Sequence, residues 1–169
     1  MGEAGKETLR QLGALSAPEV RRSLSVDSVL CLPLGSYEQH GPHLPLDTDS
    51  LIAEGYAREV IARWGELHDI WLLPTIPYGL SMEHSWSPGT VSLTLRVFSD
   101  LMLTLCENIA TTTPARNLLI INGHGGNRGA LEALVYEIQS KASLNACVTH
   151  PSALSKVKSD SQLPRSMEG

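Results

Sequence analysis

The chain has 169 residues, of which 42% are hydrophobic and 18% charged. That suits one folded domain with a real core and excludes a disordered chain. The formal net charge of -5 provides no basic face for nucleic acid, no apolar run reaches transmembrane length, and the polar start MGEAGKETLRQLG is not a secretory signal.

Ser16 precedes APEVRRSL, with Pro18 in the first turn, and predicts a short capped helix. SVLCLPLG reads as a buried strand closed by Gly35. A loop follows, GSYEQHGPHLPLDTD, from Gly35 to Asp49. Ser50 then opens the helix LIAEGYAREVIARW, on which Leu51, Ala53, Tyr56, Val60 and Ile61 share a face. DIWLLPTIPYG predicts a strand running into the loop SMEHSWSPGT, and VSLTL predicts a short strand after it. RVFSDLMLTLCENIA is an amphipathic helix, with Phe98, Leu101, Met102, Leu105, Cys106 and Ile109 recurring at three and four. NLLIIN is another buried strand and ends in GHGGN. RGALEALVYEIQSKA is a helix turning Leu131, Leu134, Val135 and Ile138 inward, and NACVTHP is a last strand.

Strands alternate with helices, which predicts a parallel or mostly parallel sheet covered on both faces over residues 1–150. The polar, Ser-rich stretch 151–169 shows no period and reads as a surface tail or a disordered end. Cys31, Cys106 and Cys147 each lie in an apolar stretch and form no CxxC pair. They read as buried free thiols, which fits a reducing cytoplasm.

In such sheets the site lies beyond the carboxyl ends of the strands, where both unusual loops fall. Glu38 and His40 are two apart, so extended chain turns both to one side and Gln39 away. Asp47 and Asp49 repeat the spacing, and Pro42 and Pro45 stiffen the chain between. Singly, these residues have plainer readings: a solvated acid, a core or surface histidine at His40 or His43, a turn or cap aspartate. Clustered at a strand end they predict a divalent-metal site of carboxylates and imidazole, suited to Zn²⁺, Mn²⁺ or Fe²⁺.

His124 follows a buried strand and precedes a helix, among Gly123, Gly125 and Gly126, which permit close approach. A nucleotide loop is the competing reading, but Arg128 stands where GxGxxG needs its third glycine and there is no Walker lysine. Glu83, His84 and Trp86 lie in the middle loop. His84 reads as an acid–base or substrate group and Trp86 as a stacking surface. A solvated acid, a capping histidine and a surface aromatic are equally good readings. His68 and His150 read as structural. There is no HExxH run and no GxSxG elbow, so a metal-bound water is the expected nucleophile.

LPLGSYEQHGPHLPLDTD together with NGHGGN resembles the creatininase (creatinine amidohydrolase) family, and YGLSMEHSWSPGTVSL resembles its middle motif. The resemblance runs from about Leu30 to about Leu134. It implies a three-layer α/β/α fold, often hexameric, with two divalent metals bridged by an aspartate. By the motifs, Glu38, Asp49 and His124 match ligands of one metal, and His40 and Asp49 match ligands of the other. Glu38, His124 and His84 are the implied catalytic residues, with Glu83 and Trp86 toward substrate. The implied reaction cleaves a C–N amide bond of a small substrate, cyclic like creatinine or linear. A peptidase of mycofactocin-type cofactor maturation and a non-catalytic metal-binding member are the alternatives. The family's creatininases carry a Glu two positions after the GHGGN-type histidine, where this chain has Gly126, and relatives with GHGGN take a Glu from a later His-Ala-Gly…Glu-Thr motif. No such motif occurs up to Gly169. The resemblance therefore implies one tight metal per chain and a second with few ligands.

Overall fold

The computed structural model describes residues 9–154. Helix α1 (Ala17–Ser23) leads to strand β1 (Val29–Leu34), helix α2 (Thr48–Trp64) and strand β2 (Ile70–Leu72). Helix α3 (Leu95–Thr112), strand β3 (Asn117–Asn122), helix α4 (Arg128–Ala142), strand β4 (Asn145–Thr149) and the single turn α5 (Pro151–Leu154) follow. Every strand pairing in the sheet is parallel, and the strand order is β2-β1-β3-β4.

Strand alternation builds the layers. Leu30, Leu32 and Leu34 of β1 and Leu118 and Ile120 of β3 face Phe98, Met102 and Cys106 of α3 and Leu131, Leu134 and Ile138 of α4. Their neighbours Cys31 and Ile121 face the opposite way, onto Ala57 and Ile61 of α2. Helices thus cover both faces of a fully parallel sheet, the three-layer α/β/α arrangement.

The elements depart from the sequence reading in four places. Helix α2 begins at Thr48, and its buried face is Ser50, Ala53, Ala57 and Ile61. Leu51 and Tyr56, expected inside, are exposed. Small residues let α2 lie close to the sheet, so the large ones turn outward. VSLTL is not a strand: Val91 makes one bridge to Tyr37, and Thr94 already caps α3, its side chain accepting from the Val97 N–H. Cys147 is exposed, because β4 is an edge strand and α2 packs chiefly on β1, β2 and β3. Cys31 and Cys106 are buried free thiols as expected, their pKa values pushed up by burial to about 12 and about 11. Finally, Pro151–Leu154 form a helical turn, and the rest of the polar tail lies outside the described residues.

Register places the two loops side by side. Leu34 pairs with Asn122 at the carboxyl ends of β1 and β3, and the Gly123 N–H donates to the Leu34 carbonyl. No helix among the described residues is long and apolar enough to cross a membrane.

Candidate metal centre

Glu38 and His40 lie in the loop after β1, and one ligand atom of each comes within 4.8 Å of the other. Asp49 arrives differently, from the first turn of α2. A Cβ on Gly35 would overlap Ser50, and one on Gly123 would overlap the Asp49 carbonyl. Two glycines therefore let the chain after β1 and the chain after β3 press against the start of α2.

Glu38, Asp49 and His124 are each 5% exposed. Asp49 divides its oxygens between two histidines: Oδ1 is 3.0 Å from His40 Nε2, and Oδ2 is 2.7 Å from His124 Nδ1. Glu38 Oε1 lies 3.5 Å from His124 Nδ1 and 3.9 Å from His40 Nε2. Each histidine uses its other nitrogen on a backbone carbonyl. His124 Nε2 donates to the Leu80 carbonyl at 2.7 Å, and His40 Nδ1 donates to the Glu38 carbonyl at 3.1 Å. A carbonyl can only accept, so the outer nitrogens carry the protons. The inner nitrogens of the neutral rings then turn lone pairs toward carboxylate oxygens. Asp49 Oδ2 has no donor despite its short contact with His124, and buried Glu38 Oε2 has none either.

Lone pair against lone pair is repulsive, so the arrangement calls for positive charge at its centre. A proton on His124 is one source. Burial pushes its pKa down, but the Asp49 carboxylate, the Leu80 carbonyl and the Glu38 carboxylate outweigh burial and hold it above the ordinary value. A divalent cation is the other source. Histidines oriented by carbonyls on the far nitrogen, with orphaned carboxylate oxygens between them, form a ligand set of the N/O kind that suits Zn²⁺, Mn²⁺ or Fe²⁺. Two groups place one ligand atom per residue within 4.8 Å of one another: Glu38, His40 and Asp49, and Glu38, Glu83 and His124.

The other residues named from sequence fall as follows. Asp47 is the N-cap of α2 and joins neither group, and His43 is exposed. His84 Nε2 stands 3.9 Å from Glu38 Oε1. Trp86 is 75% exposed, its indole N–H donating to the Glu83 carbonyl at 3.1 Å. His68 stacks loosely on Trp64 at the surface. His150 is structural as expected: its Nδ1 accepts from Asn122 Nδ2 at 3.0 Å, and burial and then Arg128 lower its pKa.

Sequence reasoning missed Asn122 and Asn127. Asn127 is fully buried, accepts from the Leu80 N–H at 2.9 Å and donates to the Gly35 carbonyl at 3.0 Å and to Asn122 Oδ1 at 3.2 Å. One side chain thus ties together three loops of the site, including the residue whose carbonyl orients His124. The signal was present, since an amide with both donors and acceptors can join several backbones, but NGHGGN draws attention to its histidine and glycines.

The fold and site together define a parallel α/β/α domain with a buried carboxylate–imidazole cluster at its strand ends, of a kind that could hold a metal ion. The creatininase (creatinine amidohydrolase) family model matches residues 13–168, and the chain belongs to that family. It is 42% identical over 144 residues to the mycofactocin precursor peptide peptidase of Mycobacterium tuberculosis, covering 80% of this chain and 51% of that protein. The chain thus spans about half the length of this relative. A solved tryptophan-to-alanine mutant of creatininase shares the fold with a TM-score of 0.71 at 24% identity, over 89% of this chain and 61% of that one. A structure named "Creatininase Mn" gives a TM-score of 0.65 at 26% identity, over 88% and 60%.

Proposed function

We propose that this chain carries the catalytic centre of a metal-dependent hydrolase that cleaves a C–N amide bond of a small substrate. The observation that carries it is the pair of inward-facing ring nitrogens, His40 Nε2 and His124 Nδ1, set against the carboxylates of Glu38 and Asp49. Family membership supports the same reading.

In this proposal Glu38, His40, Asp49 and His124 hold the metal, with Asp49 between the histidines. Zn²⁺ is the first choice and Mn²⁺ or Fe²⁺ the others, at one or two ions per chain. A second ion draws on Glu83, which groups with Glu38 and His124 and supplies a carboxylate where Gly126 has none. When bound, the cation polarises an amide carbonyl and lowers the pKa of a coordinated water. The protein supplies the remainder. Glu38 keeps Oε2 free of hydrogen bonds, so it can take a proton from the attacking water and pass it to the leaving nitrogen. His124 is held rigid by Leu80, and burial of the cluster strengthens every charge–dipole interaction inside it. His84 stands at the open side, within reach of an oxygen or nitrogen placed over Glu38. Trp86 offers a free ring face at the rim.

The substrate has two readings. A creatinine-like cyclic amide follows the family's description. A peptide, as in cofactor maturation, follows the 42% identity to a peptide peptidase. We place the protein in the cytoplasm, supported by its free thiols, and as a homo-oligomer, hexameric by the resemblance, supported by exposed Leu51, Ile52, Tyr56 and Trp64 on α2. The test is to strip the protein with a chelator, reload it with Zn²⁺ or Mn²⁺, and assay creatinine, formamides and short peptides, with a chain extended past Gly169 in parallel. Metal-restored hydrolysis is expected, and the substrate cleaved separates the two readings. Failure of either protein to retain metal would sink the proposal.

A further inference from the structure

Gln39 lies between Glu38 and His40 and joins neither ligand group, yet it is not idle. The Gly41 N–H donates to Gln39 Oε1 at 2.9 Å. A backbone N–H can only donate, so the atom facing it is the amide oxygen, and the other end of the amide is its NH₂. That NH₂ lies 3.1 Å from His84 Nδ1 and can only donate in turn. His84 Nδ1 must therefore accept, and the ring proton of the neutral imidazole sits on Nε2. Nε2 is the nitrogen that faces the site, 3.9 Å from Glu38 Oε1. This gap is too long for a direct hydrogen bond. A substrate atom seated beside Glu38 can instead take that proton as its hydrogen bond.

The same test applied to the neighbouring histidines gives the opposite answer. His40 and His124 have their outer nitrogens on carbonyls, which accept, so in the neutral rings the inner nitrogens carry the lone pairs. His84 has its outer nitrogen on an amide NH₂, which donates, so its inner nitrogen is protonated. As neutral rings, the three histidines at one site are thus sorted by the polarity of what lies behind them: two turn lone pairs inward, and one turns a proton inward. The frame that holds this partner is built. The Gln39 N–H donates to Thr90 Oγ1 at 3.2 Å, and the Val91 N–H donates to the Tyr37 carbonyl at 2.9 Å. These bonds clamp the loop after β1 to the loop that carries His84.

We propose that Gln39 is a positioning residue that fixes His84 as the Nε2–H tautomer, making His84 a hydrogen-bond donor to the carbonyl oxygen or leaving nitrogen of an amide and not a metal ligand. The assignment of a reacting amide rests on the proposed hydrolytic function, but the tautomer does not.

Gln39→Glu keeps an oxygen for the Gly41 N–H but offers His84 an acceptor in place of a donor. The proton should then move to Nδ1. Histidine labelled with ¹⁵N and ¹³C reports the tautomer directly in the zinc-loaded protein. The expected result is an Nε2–H pattern for His84 in the natural chain and an Nδ1–H or doubly protonated pattern in Gln39→Glu, with zinc content unchanged. Once a substrate is in hand, kcat should fall about tenfold or more in the variant. An Nδ1–H pattern for His84 in the natural chain, an unmoved tautomer in Gln39→Glu, or loss of zinc from it would each overturn the inference. If Gln39→Glu does not fold, the spectrum of the natural chain alone still decides. A confirmed tautomer without amide turnover would count against the hydrolytic reading and leave this one standing.

Discussion

Asp49 is the residue on which the two histidines converge, one on each carboxylate oxygen. Replacing it by Asn keeps the shape and removes the charge. An amide would also turn an NH₂ donor toward one of the bare nitrogens and could then satisfy that histidine without a cation. Asp47, two residues earlier, stands at the N-cap position of α2 without a side-chain capping bond and joins neither ligand group. Asp49→Asn should therefore weaken zinc binding by more than the roughly 10–100-fold typical of an outer partner, while Asp47→Asn changes it little. Calorimetric zinc titration of both variants checks this, and equal losses would show that the wrong aspartate had been chosen. The pair also measures what spacing alone reveals. The two-apart rule requires extended chain, as the reading of Glu38 and His40 assumes. Applied to Asp47 and Asp49 it fails, because the helix has already started at Thr48 and the side chains diverge.

At the scale of elements, the glycines of GHGGN are unequal. A Cβ on Gly125 meets nothing within 4 Å, whereas one on Gly126 would overlap the Leu80 carbonyl and stand 2.5 Å from His124 Nε2. Gly125→Ala should change stability by no more than about 0.5 kcal/mol. Gly126→Ala must displace the carbonyl that orients His124, so it should cost about 1–3 kcal/mol and weaken zinc binding as well. Urea unfolding and zinc titration of both variants separate these outcomes, and a harmless Gly126→Ala would show that Leu80 does not hold the ligand. The strands and helices α3 and α4 were legible because their apolar residues recur at the period of the element. The inner face of α2 was not, since Ser50, Ala53 and Ala57 carry little hydropathy and are chosen for closeness to the sheet. The exposure of Cys147 depends on β4 being an edge, and strand order is a property of the assembled sheet that no local pattern carries. Motifs name candidate residues, but the Leu80 carbonyl behind His124 and the Gln39 amide behind His84 come from loops far apart in sequence.

For the whole molecule, the proposed metal site would link folding, pH and metal through the buried cluster. In the metal-free protein the folded pKa of His124 is raised above the ordinary 6.5: burial lowers it, but the Asp49 carboxylate, the Leu80 carbonyl and the Glu38 carboxylate outweigh burial, so a proton there offsets Glu38 and Asp49 when the ring is charged. A raised folded pKa means that this stabilisation is fully present below about pH 6.5 and is lost as pH rises through the folded value. Zinc works in the other direction. Its ligands must be deprotonated, so protons compete with it at low pH and its hold tightens as pH rises. Metal-free protein should therefore lose stability between about pH 6 and pH 8, where the zinc-loaded protein keeps it. At zinc 100-fold above its dissociation constant, linkage gives about 2.7 kcal/mol, which raises Tm by about 5–10 °C for a domain of this size. Thermal melts with and without zinc at both pH values test this. The zinc-induced rise in Tm should be larger at pH 8 than at pH 6. A rise that is equal at the two values, or larger at pH 6, would mean that zinc does not replace the His124 proton and that the cation sits elsewhere.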